Sequence, residues 1–165
     1  MRNKPDRIVY LDTDVIVSFL SGEVQRFPII EAFFEEVAAS KRTVLLITSV
    51  ITQAEVSFLI DERDSTSFRS EAEQIIDDFW RDESLLSIVE LNPEIALIAR
   101  DIQRSARAAG KKPLKPMDAI HLATAKWAGA SQLFTYNIAH FKPHEQSAGV
   151  IILEPYASQP RLAGL

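Results

Sequence analysis

The feature that most constrains this chain is an alternation. Short, apolar, β-branched runs take turns with segments whose apolar residues recur at the helical period. Residues 7–12, 43–48 (TVLLIT), 84–91 (SLLSIVEL), 131–136 (SQLFTY) and 149–154 (GVIILE) read as strands. Between them, residues 14–21, 27–42, 49–64, 68–80, 92–109 and 117–129 read as helices. Ile30, Phe33, Phe34 and Val37 mark the apolar face of the second, and Ile51, Ala54, Phe58 and Leu59 that of the third. Asn92-Pro93 opens the fifth, and Gly129 closes the sixth. Such alternation predicts an α/β protein, a three-layer α/β/α sandwich with a mostly parallel central sheet. Sheets of this kind bind ligands beyond the carboxyl ends of their strands, where helix N-termini gather. Without repeats or low-complexity stretches, the 165 residues suit one domain over 1–154, with 155–165 as a loose tail.

The first predicted strand raises the functional question. It runs through Ile8, Val9, Tyr10 and Leu11 directly into Asp12-Thr13-Asp14. A carboxylate at the end of an apolar strand carries a desolvation cost that something must offset. Two more acids fall at similar places: Glu55 in the helix after the second apolar run, and Asp118 in the first turn of the helix opened by Pro116. Each alone has an ordinary reading. Asp12 or Asp14 suits an N-cap, Thr52-x-x-Glu55 fits a capping box, and Asp118 is a favourable first-turn acid. Together, on one edge of a parallel sheet, they would repel one another. A hard divalent cation, Mg²⁺ or Mn²⁺, would relieve that repulsion.

Composition excludes other chemistries. There is no cysteine, so disulfides, thiolate zinc sites and a thiol nucleophile are absent. This agrees with a reducing cytosol, and neither a signal peptide nor a membrane span is visible; we expect a cytoplasmic protein. The net charge of −5 disfavours polyanion binding by the whole surface. A local basic segment remains. Arg100, Arg104, Arg107, Lys111, Lys112 and Lys115 outnumber Glu94, Asp101 and Asp118 by three charges. The first four recur on one helical face, opposite Ile95, Ile98, Ala99, Ile102 and Ala106. This is either a solvated helix face or a guide for a phosphate backbone towards Asp118.

Three stretches resemble the PIN-domain family, in particular its VapC-type ribonuclease toxins: VYLDTDVIVSFL, LLITSVITQAEVSFL and LKPMDAIHLATAKWAGASQLFTYNIAHF. They occur in the family's order and spread from about residue 8 to 141. The resemblance implies a PIN-like fold and an Mg²⁺- or Mn²⁺-dependent endoribonuclease. It also implies an RNA substrate, a cognate antitoxin partner and a homodimer. It implies that Asp12, Glu55 and Asp118 hold one or two divalent metals. From the chemistry we expect Asp12 and Asp118 to bind directly, Glu55 to be a ligand or water-positioning base, and Thr13 and Thr135 to hydrogen-bond the acids or a metal-bound water. Two positions depart from the family pattern. Asp14 stands where Asn is usual, and could support the metal site or, as we favour, cap the helix. Thr135-Tyr136-Asn137 ends in Asn where the family has a fourth acid, so Asn137 could support the site only by positioning a metal-bound water, and one or two metals both stay open.

Two rivals stand beside this reading. One is a degenerate, non-catalytic PIN-like domain that binds RNA or protein, suggested by Asn137. The other is a haloacid-dehalogenase-type phosphatase opened by Asp12-Thr13-Asp14, for which Lys115 with Asp118 is a poor late motif. His121, three residues after Asp118 on a helix, could share a metal with it, but reads rather as a packed residue; His140 and His144 read as loop residues, and Trp127 as closing the last helix against the sheet. Phe33, Phe34, Phe58, Phe79 and Trp80 read as core or interface.

Overall fold

The computed structural model describes residues 4–41, 43–63 and 65–158. Its strands are β1 (Arg7–Leu11), β2 (Val44–Ser49), β3 (Leu86–Val89), β4 (Gln132–Phe134) and β5 (Ile151–Leu153). They form one sheet in the order β3-β2-β1-β4-β5, and every pairing is parallel. Helices α1 (Thr13–Leu20) and α2 (Phe27–Ala39) follow β1, and α3 (Val50–Glu55) and α4 (Ser70–Arg81) follow β2. A hairpin of α5 (Pro93–Ala108) and α6 (Pro116–Trp127) joins β3 to β4, and short helices α7 (Ile138–Phe141) and α8 (Glu145–Ala148) lead to β5.

Strand pleating divides the core in two. Val9 and Leu11 of β1 face α1 and α2, packing with Val15, Ile16, Ile30 and Phe33. Tyr10, between them, faces the opposite layer with Ile95, Ile102 and Leu122 of α5 and α6. The chain therefore has the expected α/β/α layering. Because β2 and β3 lie on one side of β1 while β4 and β5 lie on the other, the strand order reverses between β1 and β4. That reversal opens a crevice at the carboxyl end of β1, at Asp12.

Several boundaries differ from the sequence reading. α3 ends at Glu55, so in place of the predicted helix over 49–64 there is a short helix, an irregular stretch and a 3₁₀ turn over Ile60–Glu62. Val56 leaves helical geometry (φ −82°, ψ 59°) so that it and Leu59 are buried, while Phe58 is 58% exposed. Ser49, not Thr52, caps α3: its Oγ accepts from Ile51 N at 3.3 Å, while Thr52 Oγ1 lies 2.8 Å from Thr48 Oγ1. The 137–148 stretch, read as loop, holds α7, a 3₁₀ turn over Lys142–His144, and α8; His144 is buried. Trp127 does not close α6 against the sheet. It is exposed and donates from Nε1 to Glu94 at 2.8 Å. The predicted tail is ordered at its start: Pro155 is buried and the Tyr156 ring lies 5.5 Å from that of Phe134. Residues 159–165 lie outside the described residues. Gly129 has φ 71° just past α6, a left-handed position that favours glycine.

Candidate active site

Asp12 sits at the switch point as the N-cap of α1, its ordinary reading from the sequence. Its Oδ1 accepts from Thr13 N at 2.9 Å, and its Oδ2 accepts from Thr135 Oγ1 at 2.8 Å. Thr135 follows β4, which pairs directly with β1, so the sheet itself brings residues 123 apart into contact. Only 5% of Asp12 is exposed. Burial pushes its carboxyl up, with a further push from Asp118, while His121, Thr135 and the Thr13 amide pull against it.

Asp14, in the first turn of α1, is turned to the same loop. Its Oδ2 accepts from Tyr136 N at 3.0 Å and lies 3.3 Å from Thr135 Oγ1. Thr135 has one hydroxyl proton, and the shorter contact gives it to Asp12. Asp14 Oδ1 is buried without a partner. Burial, then the neighbouring Asp12, push this carboxyl up to about 7.

Glu55 is the last residue of α3, not a first-turn residue, and it reaches the site from the other side of β1. Its Oε2 accepts from Thr13 Oγ1 and lies 2.7 Å from His121 Nε2. The His121 contact is the main influence that lowers its pKa. His121 is buried within α6, and its Nδ1 lies 2.6 Å from the Tyr10 hydroxyl, which accepts from Ser49 N at 3.0 Å. Thr13 spends its proton on Glu55, so the ring nitrogen facing that carboxylate must supply the second proton. Nε2 therefore carries hydrogen. Burial works against charge on His121, but Glu55, Asp12 and Asp118 outweigh it and raise its pKa. His121 Nε2 also lies 3.9 Å from Asp12 Oδ1. The ring is packed and satisfied as expected, and it stands among the acids. Its spacing to Asp118 allowed a shared site but could not reveal its partners, because Tyr10 and Glu55 are 111 and 66 residues away.

Asp118 lies in the first turn of α6 and is partly buried; its field reaches Asp12 and His121. Among the described residues, no three His, Asp or Glu side chains form a ready-made cage for a metal. The acids share one edge, where Asp12, Asp14 and Glu55 are each held by hydrogen bonds. Asn137 does not turn its side chain to them: its amide nitrogen lies 3.2 Å from His140 Nδ1, while its backbone N–H donates to Thr135 Oγ1 at 2.9 Å. Arg100, Arg104, Arg107, Lys112 and Lys115 are exposed, and Lys111 donates to Pro143 O at 2.9 Å. Ile95, Ala99, Ile102 and Ala106 are buried on the opposite face. A groove of about 730 Å³ runs along Gln103, Arg104, Ser105, Arg107, Ala108 and Pro113, and its lining contains none of the acids.

Parallel α/β architecture with carboxylates at the switch point defines a class of catalytic and ligand-binding domains. The PIN domain model matches residues 9–142, most of the chain, and the chain belongs to that family. The match also sets aside the haloacid-dehalogenase alternative, which strand order alone would not. No curated protein matches the chain. Similar solved structures include VapBC2 from Rickettsia felis bound to a promoter DNA fragment (17% identity, 89% of this chain and 98% of that chain, TM-score 0.65). VapBC-1 from nontypeable Haemophilus influenzae is similar too (18%, 89% and 97%, TM-score 0.64). So is VapC20 from Mycobacterium tuberculosis, a sarcin–ricin-loop-cleaving toxin (15%, 89% and 99%, TM-score 0.57). At these identities the likeness is one of fold. Among the described residues, no helix is long and apolar enough to cross a membrane.

Proposed function

We propose that this chain is a metal-dependent endoribonuclease, the toxin of a toxin–antitoxin pair. One observation carries the reading: buried carboxylates meet at the switch point with too little positive charge to balance them. Asp12 and Asp14 are both desolvated, Asp14 Oδ1 has no partner, and Glu55 and Asp118 add two more acids, against the imidazole of His121 and the Arg26 guanidinium, whose field reaches Asp14. An all-oxygen donor set of this kind fits Mg²⁺ or Mn²⁺.

In this reading Asp12 and Asp118 hold the cation, and Glu55 is a further ligand or positions the attacking water. When bound, the cation would lower the pKa of water and neutralise charge on the scissile phosphate. Thr135 fixes Asp12 through Oδ2, the Thr13 amide fixes Oδ1, and the Thr13 hydroxyl fixes Glu55. The RNA backbone would approach along the basic face of α5, where Arg100, Arg104 and Arg107 are exposed. The likeness of fold to VapBC assemblies supports an antitoxin partner, and family resemblance supports a homodimer in the cytoplasm.

The test is expression of the wild type and of Asp118→Asn, followed by mapping of RNA 5′ ends. Discrete new ends with the wild type alone are expected; identical maps would refute the assignment. A second reading has its own observation. Asn137 turns to His140, so the position of the family's fourth acid contributes no carboxylate. A non-catalytic binding domain would follow if calorimetry finds no Mn²⁺ uptake at millimolar concentration.

A further inference from the structure

Glu55 is awkwardly placed for an anion. It ends α3, where the last free carbonyls of a helix repel negative charge. Its side chain is about 28% exposed, enough to swing towards water unless held. Both hydrogen bonds that hold it end on Oε2: one from Thr13 and one from His121. Oε1 is left without a protein donor among the described residues. The ring that donates is itself braced. Tyr10 is fully buried, and its hydroxyl is fixed by Ser49 N on one side and His121 Nδ1 on the other. A continuous run of contacts thus leads from the backbone of β2, through two buried rings, to one oxygen of Glu55. Any buried imidazole needs both nitrogens paired; what sets this one apart is that its Nε2 is paired with Glu55, with Thr13 Oγ1 at 3.5 Å and Asp12 Oδ1 at 3.9 Å.

We propose that His121 is a positioning residue: braced by Tyr10, its Nε2–H fixes Glu55 through Oε2 and leaves Oε1 for the cation. This rests on the proposed metal site, and it assigns a role to two residues outside the acid set. Groups that orient a metal ligand typically change affinity by about 10- to 100-fold when removed.

The test is Mn²⁺ affinity of the purified full chain, by calorimetry, with melting curves to confirm folding. His121→Leu should weaken Mn²⁺ binding by about 10- to 100-fold. His121→Gln, whose amide N–H can reach the place of Nε2, should restore most of it. Tyr10→Phe keeps the buried ring but frees Nδ1, so it should give a smaller loss in the same direction. In a Glu55→Gln background, His121→Leu should add almost nothing, because the residue acts through Glu55. Wild-type affinity in His121→Leu overturns the proposal; if that variant does not fold, wild-type affinity in Tyr10→Phe does so. An undiminished loss in the Glu55→Gln background also overturns it, since the ring would then act on the metal directly. Equal weakness of the Gln and Leu variants points to that same direct ligation and overturns it too. No Mn²⁺ uptake by the wild type would instead bring down the metal reading on which the proposal rests.

Discussion

Replacing Asp14 by Asn tests the electrostatics of the site without RNA. Burial and Asp12 push the Asp14 carboxyl up to about 7, against 3.8 for an ordinary Asp. The sign follows from proton counts. Between these two values the folded chain holds a proton on Asp14 that the unfolded chain has released. Stability is then greatest at low pH and falls as pH rises through about 7. At pH 5 the shift contributes about 3 kcal/mol relative to high pH, and at pH 8 almost nothing. Wild-type stability attributable to this group should therefore drop by about 2–3 kcal/mol from pH 5 to pH 8. Asp14→Asn removes that slope. The amide keeps an oxygen for Tyr136 N, and any cost of its extra N–H group is present at both pH values, so it cancels in the difference. The assay is urea unfolding of both proteins in EDTA at pH 5 and pH 8. Parallel pH dependences, with a constant offset between the two proteins, would refute the claim that Asp14 is a desolvated, repelled carboxyl.

Two further outcomes follow from the site. Asp118→Asn should lower RNA cleavage by more than ~100-fold, beyond the range typical of groups that only support a ligand, with an unchanged melting temperature. Residual cleavage near the wild-type rate would remove Asp118 from the site. Reversing Arg104 and Arg107 to Glu should weaken binding to single-stranded RNA and reduce the slope of log affinity against log salt by at least about 1.4, the share of two phosphate contacts. Filter binding across a NaCl series measures both, and no change in either would make the basic face of α5 a solvated surface.

The layering was legible because it depends on local periodicity. Val9 and Leu11 on one face of β1, with Tyr10 on the other, are already an alternating pattern with both sides apolar, as a sheet covered on two faces requires. The helix caps at Asn92 and past α6 at Gly129 were legible for the same reason. Residues 49–64 misled because Phe58 mimics a helical face, whereas the chain leaves the helix at Val56 to bury Val56 and Leu59. The short helices over 138–148 escaped because four-residue turns carry too few apolar residues to show a period; Phe141 and Ala148 are buried singly. Strand order was out of reach altogether, yet it alone makes Asp12 and Thr135 neighbours. The same limit hid His121, whose partners come from β1 and α3.

Without a cation, protons are the remaining way to reduce the negative charge at this edge. Asp14, raised to about 7, is mostly protonated at pH 6, and Asp12 is pushed in the same direction. His121 contributes at most one positive charge, and it is turned to Glu55. Cation and protons therefore compete for the same carboxylates, and uptake of one must expel the other. Mn²⁺ binding at pH 6 should release protons, about one of them from Asp14, and the Asp14 share should fall towards zero by pH 8, where that carboxyl is already ionised. Calorimetry of Mn²⁺ binding in buffers of different ionisation enthalpy counts these protons directly. Heats that do not depend on the buffer at pH 6, with Mn²⁺ bound, would mean that the cation sits away from Asp12 and Asp14. The charge argument that places it at the end of β1 would then fail.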